Sequence, residues 1–410
     1  MNGGPKGIGA HLRLSDTFAA LKHYNYRLWF IGQMVSLMGT WMQSTAQGYL
    51  IYQITLSPAY LGLVGFVSGL PTWLFTLFGG VVADRISRRT LLVITQTSMM
   101  VLAFLLAGLT FTHTVQPWHI LVLAFLLGVA NAFDAPARIS FVLEMVPRSD
   151  MANAIALNST MFNMATVVGP SVAGLTYAAF GPAWCFTLNG ISFLAVIAAL
   201  LLMRIKPSLQ QVRRSTAVVE LLDGLRYTLH HRLTLSLTAF IGMVGFFALG
   251  VLALLPAWAT DVLHGDVNTY GWLISARGLG ALISALIVAS MTESRLRGKL
   301  WTIGSLGMPI ALFIFALVRI LPLSLVVLVA VGWFYMMVTT NANTLIQSHV
   351  PDELRGRVMS VYSLIFNGSY PIGALAAGAV AQTIGAPITF ILCAILLLGF
   401  AIAAWVFFPI

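Results

Sequence analysis

The chain has 410 residues, 59% of them hydrophobic and 8% charged, with a formal net charge of +10. Soluble globular chains carry about 25% charged residues, so this composition excludes an ordinary soluble enzyme, a disordered protein and a nucleic-acid binder. A spanning helix takes about 20 apolar residues, and twelve of them use up the hydrophobic share, which describes an all-α membrane protein with short loops.

In chain order, the apolar runs predict twelve transmembrane helices, spans one to twelve. They fall near residues 28–52, 58–83, 90–111, 117–137, 152–179, 183–203, 234–259, 270–291, 300–319, 322–346, 358–384 and 387–408. The expected organisation is an arm at 1–27, a six-helix bundle at 28–203, a basic linker at 204–232 and a second six-helix bundle at 233–410. Within the arm, Ser15–Arg27 mixes apolar and basic residues, and reads either as a short surface helix or as flanking charge. The first apolar run is span-length and lacks a small-residue cleavage site, so no cleavable signal peptide is expected. Cys185 and Cys393 lie in apolar runs without metal or disulfide spacing and read as packing residues.

Twelve spans with short loops place every Lys and Arg except Arg277 and Arg319 on one side. Cytoplasmic loops collect basic residues, so both termini are expected in the cytoplasm. The net positive charge is accounted for in the same way.

The second half of each bundle repeats. Gly128, Val146-Pro147, Ser159, Phe162-Asn163, Gly169, Gly174, Gly181 and Phe186 recur 204 residues later. The matches are Gly332, Val350-Pro351, Ser363, Phe366-Asn367, Gly373, Gly378, Gly385 and Phe390. The offset spans an even number of helices, so the halves are parallel six-helix repeats.

Ionisable residues inside spans are costly in lipid and point to function. Asp134 lies about 24 Å along span four from Trp118 at 1.5 Å per residue. Arg138 is one helical turn further on the same face, so the two read as a neutralising pair or as a proton-carrying carboxylate with its partner. Arg277 lies about 10 Å into span eight by the same rise and reads as an attractor of anionic groups or as bound to backbone carbonyls. Span one carries a polar stripe at helical spacing, Gln33, Ser36, Thr40, Gln43, Ser44 and Gln47. Such a stripe faces a cavity or a neighbouring helix. Asn131 in span four and Thr340, Asn341 and Asn343 in span ten are similar.

The chain has no Walker loop, no His-Glu-x-x-His, no Gly-x-Ser-x-Gly and no metal-spaced cysteines. No enzymatic activity, metal site, cofactor or nucleic-acid partner is expected, and ATP is not the direct energy source.

The loop between spans two and three reads Gly80-Val-Val-Ala-Asp84-Arg85-Ile-Ser87-Arg88-Arg89. It resembles the signature loop of the major facilitator superfamily, Gly-x-x-x-Asp-Arg-x-Gly-Arg-Arg, with Ser87 at the second glycine. The resemblance implies a conformational clamp of Gly80, Asp84, Arg85 and Arg88. In it Arg88 pairs with Glu144 and Asp84 meets the start of span eleven, holding the halves together in the outward-open state. Span five carries Gly169-Pro170-Ser171-Val172-Ala173-Gly174, similar to the Gly-Pro motif of major facilitator antiporters. Through Gly169, Pro170 and Gly174 it implies export. Asn25-Tyr-Arg-Leu-Trp-Phe, Gly39-Thr-Trp-Met-Gln43 and Phe133-Asp-Ala-Pro-Ala-Arg138 through Asn158 resemble the macrolide-efflux and enterobactin-exporter-like branch. A drug–proton antiporter arginine of span four is replaced here by Ala124.

The resemblance implies the major facilitator fold, with spans one, four, seven and ten lining a central cavity. Span seven would bring Met243, Phe246, Phe247 and Trp258 to that cavity. The implied function is a monomeric secondary exporter in a bacterial inner membrane, exchanging protons for small amphipathic compounds such as drugs or siderophore-like metabolites. An importer on the same fold and a non-transporting sensor are the alternatives.

Overall fold

The computed structural model describes residues 18–204, 217–290 and 296–407. Twelve long helices stand where the apolar runs predict them. Spans one to six are Tyr24–Thr55, Pro58–Arg85, Arg88–Phe111, Pro117–Val142, Met151–Phe180 and Pro182–Leu202. Spans eight to twelve are Val267–Ser290, Leu296–Leu317, Leu321–His349, Asp352–Ile384 and Ala386–Phe407. Span seven covers Arg232–Val262 and is not one regular helix. It opens into wider π-helical turns at Val244–Leu249 and Trp258–Val262. Ten helices are long and apolar enough to cross a membrane among the described residues. Spans one and five are the long helices outside that set. They carry the polar stripe and the Asn-, Ser- and Thr-rich start of the span-five sequence.

Local chemistry sets the helix ends. Pro58, Pro117 and Pro182 open their helices, where a missing N–H costs nothing and the fixed φ suits the first turn. Gly181 and Gly385, partners in the repeat, close spans five and eleven at φ +89° and +82°, a backbone region that glycine enters without steric cost. Ser87 departs from the family's second glycine and has an ordinary φ of −56°. Its hydroxyl accepts the Thr90 amide, capping span three.

Of the two readings of Ser15–Arg27, a separate surface helix is not what its described part forms. Ala19–Lys22 is a short 3-10 turn, and span one already begins at Tyr24. The turn is tied to the start of span five: Asn153 accepts the Ala20 amide, Asp150 lies 3.0 Å from Lys22 Nζ and 2.6 Å from His23 Nε2, and the Tyr26 hydroxyl donates to the Ala154 carbonyl. Hydrogen bonds to His23 and Lys22 hold the Asp150 carboxyl below its ordinary range. The linker forms an amphipathic helix, Ala217–His230, packed on span eleven and fixed by Arg357 on Asp223.

The two halves pack alike. Span two lies on span four and span three on span six, as span eight lies on span ten and span nine on span twelve. The halves meet along two seams, span two with span eleven and span five with span eight. Glycines permit these approaches. A Cβ on Gly128 would stand 2.4 Å from the Ser68 carbonyl oxygen, and one on Gly332 would stand 1.9 Å from that of Arg277. At the seams Gly174 meets Val267 and Asn268, while its repeat partner Gly378 meets Pro58 and Gly62.

The hydrogen bonds that join the halves, among the described residues, lie away from the termini. Tyr52 donates to Asp261, Ser57 donates to Gln382 at 2.6 Å, and Ser171 donates to Ser275 at 2.8 Å. Tyr49 and Tyr270 stack across the same region with centroids 6.3 Å apart. The molecule is therefore sealed at the end opposite its termini.

Alanine at Gly128 or Gly332 places a methyl group into backbone of the neighbouring span. Each substitution is expected to cost about 1–3 kcal/mol, read as a lower unfolding temperature of the purified protein. Gly399→Ala, whose new methyl meets nothing within 4 Å, should leave that temperature unchanged or slightly raised.

Candidate functional site

A carboxylate inside the first half organises the candidate site. Asp134 is 1% exposed, about two-thirds of the way along span four. Burying an ion in a low-dielectric interior requires charge-assisted hydrogen bonds or a countercharge, and both are present. Thr95 Oγ1 and Gln96 Nε2, adjacent on span three, donate to Asp134 Oδ1 at 2.8 and 2.9 Å. Arg138 Nε stands 3.7 Å from Asp134 Oδ2. That separation is an ion pair without a tight hydrogen bond.

These groups border a cavity of about 210 Å³ between spans one, three, four, five and six. Its polar wall includes Gln33, Ser36, Thr40, Asn131, Asp134 and Arg138, and its apolar wall includes Trp41, Phe162 and Phe193. Trp41 and Phe162 meet edge to face at 6.1 Å. Two buried polar atoms of the wall have no partner among the described residues, Gln33 Nε2 and Gln96 Oε1. Orphan groups of this kind are costly unless a ligand or water meets them.

The structure divides the cavity residues expected from sequence. It brings Gln33, Thr40, Asn131, Asp134 and Arg138 together. Gln43 is elsewhere, accepting the Asn189 side-chain amide at 2.7 Å on the seam with span six. Asn341 is buried in span ten and donates to the Met337 carbonyl of its own helix. Trp258 does not line this cavity. It is fully buried in the core of the second half against Phe315 and Phe390, with centroids at 4.7 and 5.1 Å. Thr95 and Gln96 were not singled out from sequence, although two adjacent polar residues in an apolar span are a visible signal.

Arg277 stands apart from this cavity. Span eight starts at Val267, three residues earlier than the apolar run indicates, which puts Arg277 about 15 Å along it rather than 10 Å. Its carbonyl lies over Gly332, and Gly278 beside it faces the Thr166 carbonyl of span five.

Of the clamp, Arg88 Nη1 donates to Glu144 Oε1, joining the start of span three to the end of span four. Gly80, Asp84 and Arg85 lie outside the residues described at side-chain level. In span five, Gly169 packs on Trp41 and Gly174 on Asn268, and the Pro170 carbonyl receives Gly271 of span eight. The motif is thus a contact surface towards spans one and eight. Pro170 offers no N–H to the Thr166 carbonyl one turn earlier, and that carbonyl faces Gly278.

The family described as transmembrane secretion effector matches residues 15–409. The chain is 22% identical over 367 residues to the staphyloferrin A transporter of Staphylococcus aureus, covering 89% of this chain and 91% of that protein. It is 26% identical over 375 residues to the multidrug efflux pump Tap of Mycolicibacterium fortuitum, covering 88% and 90%. It is 26% identical over 346 residues to the enterobactin exporter EntS of Shigella boydii, covering 83% and 81%. A solved bacterial homologue of the human lysosomal transporter Spinster, inward-facing and unoccupied, superposes with a TM-score of 0.71 at 14% identity. That superposition covers 93% of this chain and 95% of that one, and it shows the shared fold.

Removing one member of the Asp134–Arg138 pair should cost more than neutralising both. Arg138→Gln strands a buried carboxylate that keeps the Thr95 and Gln96 hydrogen bonds, a loss of about 1–3 kcal/mol. Adding Asp134→Asn should recover most of it, measured by thermal unfolding of the single and double variants.

Proposed function

The chain belongs to the transmembrane secretion effector family, a branch of the major facilitator transporters, and on that premise we propose that it exports small amphipathic organic compounds in exchange for protons. The carrying observation is Asp134, a carboxylate buried beside a cavity with both polar and aromatic walls. A mixed wall of this kind suits amphipathic ligands. The drug and siderophore transporters among the relatives support the direction and the chemical class.

The side chains around Asp134 suit a proton cycle. Ionised, the carboxylate accepts from Thr95 and Gln96 and faces Arg138. Once protonated, the carboxyl becomes a donor, and the unpartnered Gln96 Oε1 becomes its acceptor when the amide turns over. Arg138 then loses its countercharge and turns towards the cavity. One protonation event rearranges three groups on two spans.

With the termini in the cytoplasm, as the basic residues indicate, the sealed end is periplasmic and this is an inward-facing state. Two bundles, 28–203 and 233–410, rock about the glycine-lined seams in a monomer of the bacterial inner membrane. The Arg88–Glu144 pair of the clamp is already made in this state, and Gly80, Asp84 and Arg85 complete the clamp in the opposite, outward-open state. The electrical gradient supplies about 2.3 kcal/mol per proton charge per 100 mV.

Proton flux in energised everted vesicles tests the reading against a panel of amphipathic compounds. Compound-dependent proton release is expected in wild type, and its loss in Asp134→Asn at equal membrane content. Asn retains the acceptor for Thr95 and Gln96, so the variant should insert normally. Release that persists in Asp134→Asn removes this carboxylate from the coupling path. Uptake of a labelled compound that survives collapse of the pH gradient overturns proton exchange.

A further inference from the structure

We infer that Arg277 and three tyrosines around it, Tyr270, Tyr335 and Tyr370, form a receptor for an acidic group, so that the exported compound carries a carboxylate or a comparably acidic oxygen. The inference deepens the export reading above and rests on it for the word exported.

Arg277 is a cation without an anion. It lies about 15 Å along span eight, near the middle of a hydrocarbon layer about 30 Å thick. Among the described residues its guanidinium makes no hydrogen bond or ion pair, and its Nε is buried with no partner. Charged side chains at this depth are costly and ordinarily paired. The nearby carboxylates are already committed. Asp134 belongs to Arg138 in the other half. Asp261 accepts from Tyr52, and Asp266 from Asn268 and Thr269, at the sealed end.

Tyr270 lies two turns before Arg277 on the same face of span eight. Tyr335 lies one turn beyond Gly332, against which the Arg277 carbonyl packs, and the Arg277 charge acts on both of these and on Tyr370 of span eleven. None of the three hydroxyls donates a hydrogen bond among the described residues. The cluster therefore offers a fork of guanidinium donors and free phenolic donors, with no competing carboxylate. That inventory fits an acceptor-rich anion, and a guanidinium grips a carboxylate through two parallel hydrogen bonds.

Its position reaches both halves. Tyr370 Oη stands 3.5 Å from where Gly65 of span two would carry a Cβ, and Gly278, next to Arg277, faces Thr166 of span five. An acid held there sits where the halves meet, while the proton-binding carboxylate lies within the first half alone. Depth separates the site from lipid headgroups, which do not reach the middle of the bilayer.

Binding isosteres to the full-length protein in lipid nanodiscs tests this. The probes are 4-tert-butylbenzoate and its neutral amide, with empty nanodiscs as the blank. Wild type should bind the acid about tenfold more tightly than the amide, the difference between charge-assisted and neutral hydrogen bonding. Arg277→Gln should abolish that preference while leaving amide affinity unchanged, which also shows that the variant is folded. Arg277→Lys should keep part of the preference, and Tyr335→Phe should reduce it a few-fold. Equal binding of acid and amide by wild type, or a preference that survives in Arg277→Gln, overturns the inference. So does inorganic phosphate binding as tightly as the acid. No gradient is involved, so failure here leaves the export reading standing, and absence of proton release leaves this site standing.

Discussion

Hydrocarbon offers no hydrogen bonds, so each polar group inside a span must be answered within the protein. Most span hydroxyls answer themselves. Thr40, Thr45, Thr55, Ser68 and Thr110 donate to the carbonyl one turn back on their own helix. Other groups depart from this habit, among them buried hydroxyls and indoles of the packing core such as Ser284, Ser324, Trp29 and Trp301, and a few of these departures gather at the candidate sites. Thr95 and Gln96 reach across to Asp134. Gln33 and Gln96 leave an atom unanswered at the cavity, and Arg277 leaves a charge unanswered at the seam.

The repeat separates architecture from function in the same way. Packing positions recur: Gly128 with Gly332, Gly174 with Gly378, Gly181 with Gly385. Spans two and eight repeat as well, at 209 residues rather than 204. Gly62 and Gly69 correspond to Gly271 and Gly278, each set against span eleven or span five. The charged positions inside the spans do not recur. Asp134 and Arg138 correspond to Val338 and Ala342, both fully buried and apolar. Arg277 corresponds to Ser68, which bonds only to its own helix. The scaffold is duplicated and the chemistry is divided, a carboxylate in one half and a guanidinium in the other.

The fold was legible because a bilayer imposes a length and a composition on each span, and glycine spacing records helix contacts. All twelve spans lie within a few residues of their apolar runs. The site was only partly legible, because periodicity shows which residues share a face but not what that face meets. Gln33, Thr40 and Gln43 lie on one stripe, yet two meet the cavity and Gln43 meets Asn189. Trp258 looks like an amphipathic binding aromatic in sequence, but span seven departs from regular helix on either side of Pro256 and the ring enters the core. The partners of Asp134 come from span three, about forty residues earlier in the chain, a pairing that only tertiary contact reveals.

The seams explain how the halves can move without disturbing what each holds. Glycines on both seams bring backbone close to backbone, as Gly62 on Gly378 and Gly271 on Pro170, while Trp73 on Gly368 and Tyr370 beside Gly65 are side chains that cross the span two–eleven seam. The specific bonds to be broken, among the described residues, are few: Tyr52 on Asp261, Ser57 and the Ala59 amide on Gln382, and Ser171 on Ser275. None of them involves Asp134, Arg138 or Gln96, which lie wholly within the first half. Arg277 is placed differently, because its neighbours Tyr370 and Gly278 touch spans two and five of that half. On this reading an acid bound at Arg277 experiences the movement of the halves directly. A proton on Asp134 acts through the groups that rearrange around it, and the two ligands need not compete for one charge.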